Sequence, residues 1–205
     1  RLVSMAEEHL KRNSGALSVE LSEETRKEAL DLLRDPRLIE RIQEDMGNLG
    51  IVGERTNLLA GYLVSVSRKM EDPLSMLVLS RSAAGKSALS ETLAALTPPE
   101  DVIRLTRLTG QALFYQKNQS LRRKLLVVEE ESGVSKAASY PLRMLLSAKK
   151  LAVVTAQGSH EVEGPVAVIV TTTNTSLGDE TKSRFLVVSA DESQRQTRAI
   201  QEAQR

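Results

Sequence analysis

The sequence predicts an α/β fold built on a parallel sheet covered by helices on both faces. Three observations lead there. Five short runs rich in β-branched and aliphatic residues occupy 74–80, 102–106, 124–130, 166–173 and 185–190. Near-continuous apolar runs of this length suit strands buried on both sides, as a parallel sheet requires. Helix-like stretches, KSALSETLAAL and ASYPLRMLLSAKK, follow the first and third runs, and parallel neighbours need such crossovers. Residues 1–73 read as helices alone, so a helical segment precedes the sheet.

In chain order, SEETRKEALDLLRD opens with Ser22 as an N-cap and acidic residues in its first turn, where they oppose the helix dipole. PRLIERIQEDMGNLG puts Pro36 at a helix start and glycines past its last periodic residue. GERTNLLAGYLVSVSRKM places Leu58, Leu59, Tyr62, Leu63, Val66 and Met70 on one helical stripe, expected to be a packing face. Between Lys149 and Val168, KLAVVTA and HEVEGPVAV flank Gln157, Gly158 and Ser159, which reads as a β-hairpin with a polar tip. The expected boundaries are 1–49 for the helical segment, 50–190 for the core and 191–205 for a further helical element.

Composition narrows the chemistry. The 205 residues contain no Cys and two His, His9 and His160, which removes disulfides and thiolate metal sites and disfavours a histidine zinc site. The chain opens on Arg1 without a secretory pattern and has no apolar run of membrane-spanning length. It is expected to be part of a longer cytoplasmic protein with no membrane partner. Net charge is +1, but residues 1–100 carry 13 basic and 16 acidic side chains, against 15 and 11 in the remainder. Any nucleic-acid contact is therefore local and in the second half. Five aromatics and no Trp make a base-stacking platform unsuitable.

The chemistry-bearing stretch is LSMLVLSRSAAGKSALSETL, 74–93. Ser80 to Ser87 match G-x-x-x-x-G-K-[ST] except that Ser80 replaces the first glycine. An apolar strand, a small-residue loop and a following helix are what a phosphate grip needs. Backbone N–H groups and a helix N-terminus then face the anion. Lys86 would reach the terminal phosphates and the Ser87 hydroxyl would ligate Mg²⁺, with Ser82, Ala83, Ala84, Gly85 and Ala88 lining the grip. A surface turn with a solvated lysine is the alternative for such a motif standing alone. It does not stand alone: LLVVEEES ends an apolar run in Glu129 and Glu130, and carboxylates at the C-terminal end of a parallel strand lie beside such a loop. Glu129 would hold Mg²⁺ through water and Glu130 would polarise an attacking water. VAVIVTTTNTS brings Asn174 to the end of another buried run, suited to orienting that water. Arg184 precedes the last run, where an arginine matters only if a neighbouring subunit's nucleotide lies opposite.

With these motifs in order, residues from about 50 to 205 resemble the core of AAA+ ATPases, P-loop NTPases with a five-stranded parallel sheet sandwiched by helices. GIVGE, Gly50 to Glu54, is similar to the segment lining the adenine pocket in that family, which implies Val52 and Gly53 as base contacts. The hairpin near Gln157 looks like the pre-sensor hairpin of the helicase-like branch, although it is very short. More narrowly, NLGIVGERTNLLAGYLVSVSRK, SAAGKS, LTGQALFY and VEGPVAVIVTTTN resemble the ATPase region fused to zinc-finger primases of bacterial mobile elements and phages. The resemblance implies ATP and Mg²⁺ as ligands, Glu130 as the water-activating base, Asn174 as sensor 1 and Arg184 as an arginine finger acting on the adjacent subunit. It also implies a homo-oligomeric, hexameric ring, single-stranded DNA as partner and a primase domain in the same chain. Arg195 and Arg198, in the last segment, receive no sensor role.

Two other functions share the phosphate grip. A nucleotide-gated scaffold or loader would bind ATP with little turnover, but Lys86, Glu130 and Asn174 together favour hydrolysis. A small-molecule kinase fits less well, because two glutamates after the apolar strand suit water activation and no arginine-rich lid is recognisable.

Overall fold

The computed structural model describes residues 21–81, 85–106, 108, 120–130, 136–155, 158–173 and 178–203, with backbone only for 130, 136, 137, 153–155 and 158–160. The chain divides into two compact units between Ile42 and Gln43. In the first unit, α1 (Glu23–Arg34) begins as the sequence predicts: Ser22 Oγ accepts the Thr25 N–H at 3.1 Å, and Glu23 and Glu24 fill the first turn. Asp35 ends α1 and accepts from Arg37 N at 2.8 Å and Arg41 Nη1 at 3.0 Å. These bonds, the backbone one foremost, hold its carboxyl below the usual carboxylate range. Helix α2 (Leu38–Asn48) begins two residues after Pro36 and runs across the division.

The second unit runs α3 (Arg55–Ser67), β1 (Ser75–Leu79), α4 (Lys86–Ala95), a 3₁₀ turn (Pro99–Asp101), β2 (Val102–Leu105), β3 (Lys124–Glu130), α5 (Lys136–Ala148), β4 (Lys150–Thr155), β5 (Gly158–Glu163), β6 (Val166–Thr172), α6 (Asp179–Lys182), β7 (Leu186–Ser189) and α7 (Gln194–Ala203). Five strands form one sheet in the order β2-β3-β6-β1-β7, every pair parallel. Each of the five lies within a run read as a strand from sequence. Strands β4 and β5 form the separate antiparallel hairpin, with Thr155 opposite Gly158 at its tip.

The sheet is covered on both sides because its central strands carry apolar residues on both faces. All seven residues of β6 are buried. Leu77, Leu126, Val128, Val168 and Val170 join Leu142 and Leu145 of α5 and Leu151 and Val162 of the hairpin in one cluster. Alternate positions, among them Met76, Val78, Val127 and Ile169, are equally buried and face the side where α3 and α4 pack.

Helix α3 corrects one expectation. Leu58 of the stripe is buried, but Leu63, Val66 and Met70 are 49%, 45% and 60% exposed. The face turned inward carries Leu58, Gly61, Val64 and Ser65. Its smallest residue decides the rotation: a Cβ on Gly61 would lie 2.3 Å from Leu93 Cδ1, so only glycine admits this approach to α4. The buried hydroxyls of Ser65 and Ser67 donate to carbonyls one turn back, Gly61 O and Val64 O.

At the N-terminal edge of the sheet, Asp101 draws three cations together. Its Oδ2 accepts from Arg68 Nη2 at 3.1 Å and Lys69 Nζ at 2.5 Å, and its Oδ1 from Lys124 Nζ at 3.1 Å. This knot ties the end of α3 to the starts of β2 and β3.

Candidate functional site

Register places the sequence-predicted carboxylates and loop on one edge. Leu79 of β1 lies opposite Thr172 of β6, and Thr172 lies opposite Glu130 of β3; one step earlier Val78, Thr171 and Glu129 are in line. The three strands thus end level, with β6 between the strand feeding the Gly-Lys-Ser loop and the strand ending in two glutamates. Ser80 N donates to Thr172 O at 3.3 Å, carrying the alignment one residue into the loop. The chain leaves β6 toward Asn174 from this middle position; Asn174 itself, like Ser82, Ala83, Ala84 and Gln157, lies outside the described residues.

Gly85 caps α4 in the left-handed region, φ +79°, with open space where a Cβ would stand. That conformation suits glycine and turns the chain from loop into helix. The N–H groups of the first helical turn have no partner within a helix, which makes Lys86, Ser87 and Ala88 an anion-facing end. Lys86 Nζ folds back on the loop, donating to Ser80 O at 3.1 Å and to Arg81 O. Ser87 and Ala88 are exposed. Ser90, one turn into α4 and fully buried, lies 3.0 Å from Ser87 O and 2.8 Å from Glu129 Oε1. Sequence reading missed Ser90; its position three residues after Ser87 was the available signal.

Among the described residues no group of three or more His, Asp or Glu side chains could hold a metal ion by itself. Mg²⁺ is usually held by one or two carboxylates together with substrate phosphates and water, not by a protein cage. Ser87 at the start of α4 and Glu129, oriented through Ser90 of the same helix, would hold it.

The predicted base segment is clipped to the C-terminal end of β7, the edge strand beside β1. Glu54 (φ +56°) accepts from Asp191 N at 2.5 Å and from Asn57 Nδ2 at 2.6 Å, and Asn57 also donates to Ser189 O at 2.8 Å. Gln196 Nε2 of α7 donates to Val52 O. Its amide lies against Gly53 (φ +70°), where a Cβ would be 2.4 Å from Gln196 Oε1. Beside this segment opens a cleft of about 350 Å³ lined by Gln43, Glu44, Gly47, Asn48, Ile51, Gly53 and Arg55. Gly53 is shared with the predicted set; Val52 is not. Nothing in the residue pattern singled out Gln196, because its role depends on where α7 packs.

Arg184 is not brought to this edge. It precedes β7, whose Leu186 pairs with Met76 near the start of β1, so it sits at the opposite edge from Lys86 and Glu129. Its Nε donates to Ser147 Oγ at 2.7 Å and its Nη1 to Glu180 O. Lys149 and Lys150, which sequence reading offered to DNA phosphates, are paired: Lys149 Nζ lies 2.5 Å from Asp72 Oδ1, and Lys150 Nζ 2.5 Å from Glu161 Oε1. Donating to Glu161 raises the Lys150 pKa, and accepting from Lys150 lowers that of Glu161.

No protein-family model matches the chain, and no curated protein matches it. Among the described residues, no helix is long and apolar enough to cross a membrane.

Proposed function

We propose that this chain is an ATP-binding and ATP-hydrolysing AAA+ motor, a helicase or translocase acting on single-stranded DNA in replication of a mobile element and associated with a primase. One observation carries the nucleotide part: β1, β6 and β3 end level, with α4 starting at Gly85-Lys86-Ser87 beside Glu129 and Glu130. That edge offers a helix N-terminus and a lysine for phosphates, a hydroxyl and carboxylate for Mg²⁺, and a second carboxylate on the next residue. The ion supplies charge neutralisation of the phosphates when bound.

In this mechanism Lys86 leaves Ser80 O and Arg81 O for the terminal phosphates. Ser90 holds Glu129 toward Ser87. Glu130 accepts the proton of the attacking water, which Asn174 orients. Arg184 faces away from its own site, so it serves a neighbouring subunit in a ring. The DNA part is supported by the resemblance and by eight basic against four acidic residues in 101–150 once the paired Lys149 and Lys150 are set aside.

The test is ATP binding by equilibrium dialysis, with phosphate release measured with and without single-stranded DNA. Lys86→Ala should lose binding, whereas Glu130→Gln should bind and retain ATP unhydrolysed. Glu130→Gln turning over at the parental rate removes the assigned base. Binding without turnover, even with DNA, makes the chain a nucleotide-gated scaffold instead.

A further inference from the structure

The segment after β7 touches both ends of the candidate site. Glu192 Oε1 accepts the backbone N–H of Arg81, in the phosphate loop, at 2.6 Å, and its Oε2 lies 3.4 Å from Arg81 Nε. Four residues on, Gln196 donates to Val52 O and fills the space in front of Gly53, in the base segment. Between them Asp191 and Ser193 shape the turn: Asp191 Oδ1 accepts Ser193 N at 2.9 Å, and Ser193 Oγ accepts Gln196 N at 3.2 Å. Helix α7 has no buried residue, and its Gln196 bonds the base segment at Val52 O.

We propose that Glu192 and Gln196 form a latch that occupies the nucleotide site when it is empty, and that ATP displaces it and frees α7. The inference rests on the nucleotide-site reading above and adds the regulation of that site. Glu192 is the chemical counterpart of a phosphate there: an anionic oxygen taking a loop N–H and facing Arg81. A triphosphate arriving at the same loop brings like charge against that carboxylate. The amide of Gln196 covers the backbone that a purine would stack on or bond to.

Nucleotide and latch therefore oppose one another, and linkage makes the effect reciprocal: whatever factor ATP loosens α7 by, removing the latch tightens ATP by. Two hydrogen bonds in the lower part of the usual net range, about 0.7 kcal/mol each, correspond to roughly tenfold in affinity. Once released, the start of α7 loses the bond from Gln196 to Val52 O and its packing on Gly53, and it frays. Displacement thus reads out as faster amide exchange in 194–203.

The experiment measures amide hydrogen exchange across 194–203 and ATP dissociation constants by equilibrium dialysis, in the parent and in Glu192→Ala/Gln196→Ala. Saturating ATP with Mg²⁺ should speed exchange in the parent. The double variant should exchange fast without ATP and bind ATP about tenfold more tightly. Glu192→Gln alone, which removes the charge and keeps the shape, should give part of the gain. ATP that binds the parent but slows or leaves unchanged the exchange of α7 overturns the latch alone, as does unchanged affinity in the double variant. No ATP binding by either protein overturns the nucleotide site, and the latch with it.

Discussion

The hydroxyl of Ser90 stands between Ser87 and Glu129, 3.0 Å from the carbonyl of one and 2.8 Å from the carboxylate of the other. It has one proton for two acceptors: the bond to Ser87 O stays within the helix, and the bond to Glu129 ties that helix to the strand carrying the carboxylate.

Ser90→Ala should loosen Glu129 without removing a ligand. The expected result is a Mg²⁺ requirement raised about tenfold for ATP binding, with near-parental affinity at saturating Mg²⁺, by analogy with losing a group that orients a metal ligand. An unchanged Mg²⁺ titration would reduce Ser90 to a packing residue.

Arg184→Ala should bind ATP normally yet hydrolyse it poorly, since an arginine supplied in trans contributes about 10³–10⁵ in rate in related phosphoryl-transfer sites. Mixing it with Glu130→Gln should restore some activity, because one interface then pairs an intact Glu130 with an intact Arg184. If both variants assemble and mixing rescues nothing, Arg184 acts only through its own-chain bonds to Ser147 and Glu180.

Gly61→Ala should destabilise the second unit by about 1–3 kcal/mol, the usual cost of overpacking. Alanine is the better helix former, but its Cβ would meet the Leu93 side chain, which is fully buried and would have to shift. Denaturant melts of Gly61→Ala, Leu93→Ala and the pair should give a double variant less destabilised than the sum of the singles.

Asp101 sets an acid dependence. Burial raises its pKa, and the hydrogen bonds from Lys69, Lys124 and Arg68 outweigh that and hold it below the ordinary carboxylate value. A depressed folded pKa gives stability that is fully present above the unfolded value of about 3.9 and is lost as pH falls through the folded one. Asp101→Asn should cost on the order of 3 kcal/mol at neutral pH, because a buried Arg68 loses its counter-charge. It should also flatten the stability profile below about pH 4, where protonation can no longer remove anything. A parallel loss of stability in parent and variant through that range would assign the acid limb to other carboxylates.

Strands were legible because burial on both faces leaves an unbroken apolar run, and β3 with its terminal Glu129 and Glu130 is the plainest case. The Ser22 cap and the start of α4 at Lys86 follow from equally local chemistry. The face of α3 was not legible, because several rotations bury comparable apolar area and the choice rests on Gly61 meeting Leu93 across a tertiary contact. Lys149 and Lys150 looked free for the same reason: Asp72 lies far from Lys149 in sequence, and Glu161 faces Lys150 only once the hairpin folds. Glu192 and Gln196 carry no motif, and their meaning appears only when α7 is seen against Arg81 and Val52.

The place of β1 between β6 and β7 has a temporal consequence. Its partners are both made late: Ser75 pairs with Val168 and Met76 with Leu186. As a ribosome delivers the chain from its N-terminus, the Gly-Lys-Ser loop emerges long before either neighbouring strand exists, and β1 waits as a bare apolar segment with both backbone edges open. The nascent chain is thus most exposed to aggregation between about residues 80 and 166, and a chaperone that shields Ser75–Leu79 over that interval would raise yield without touching the finished protein.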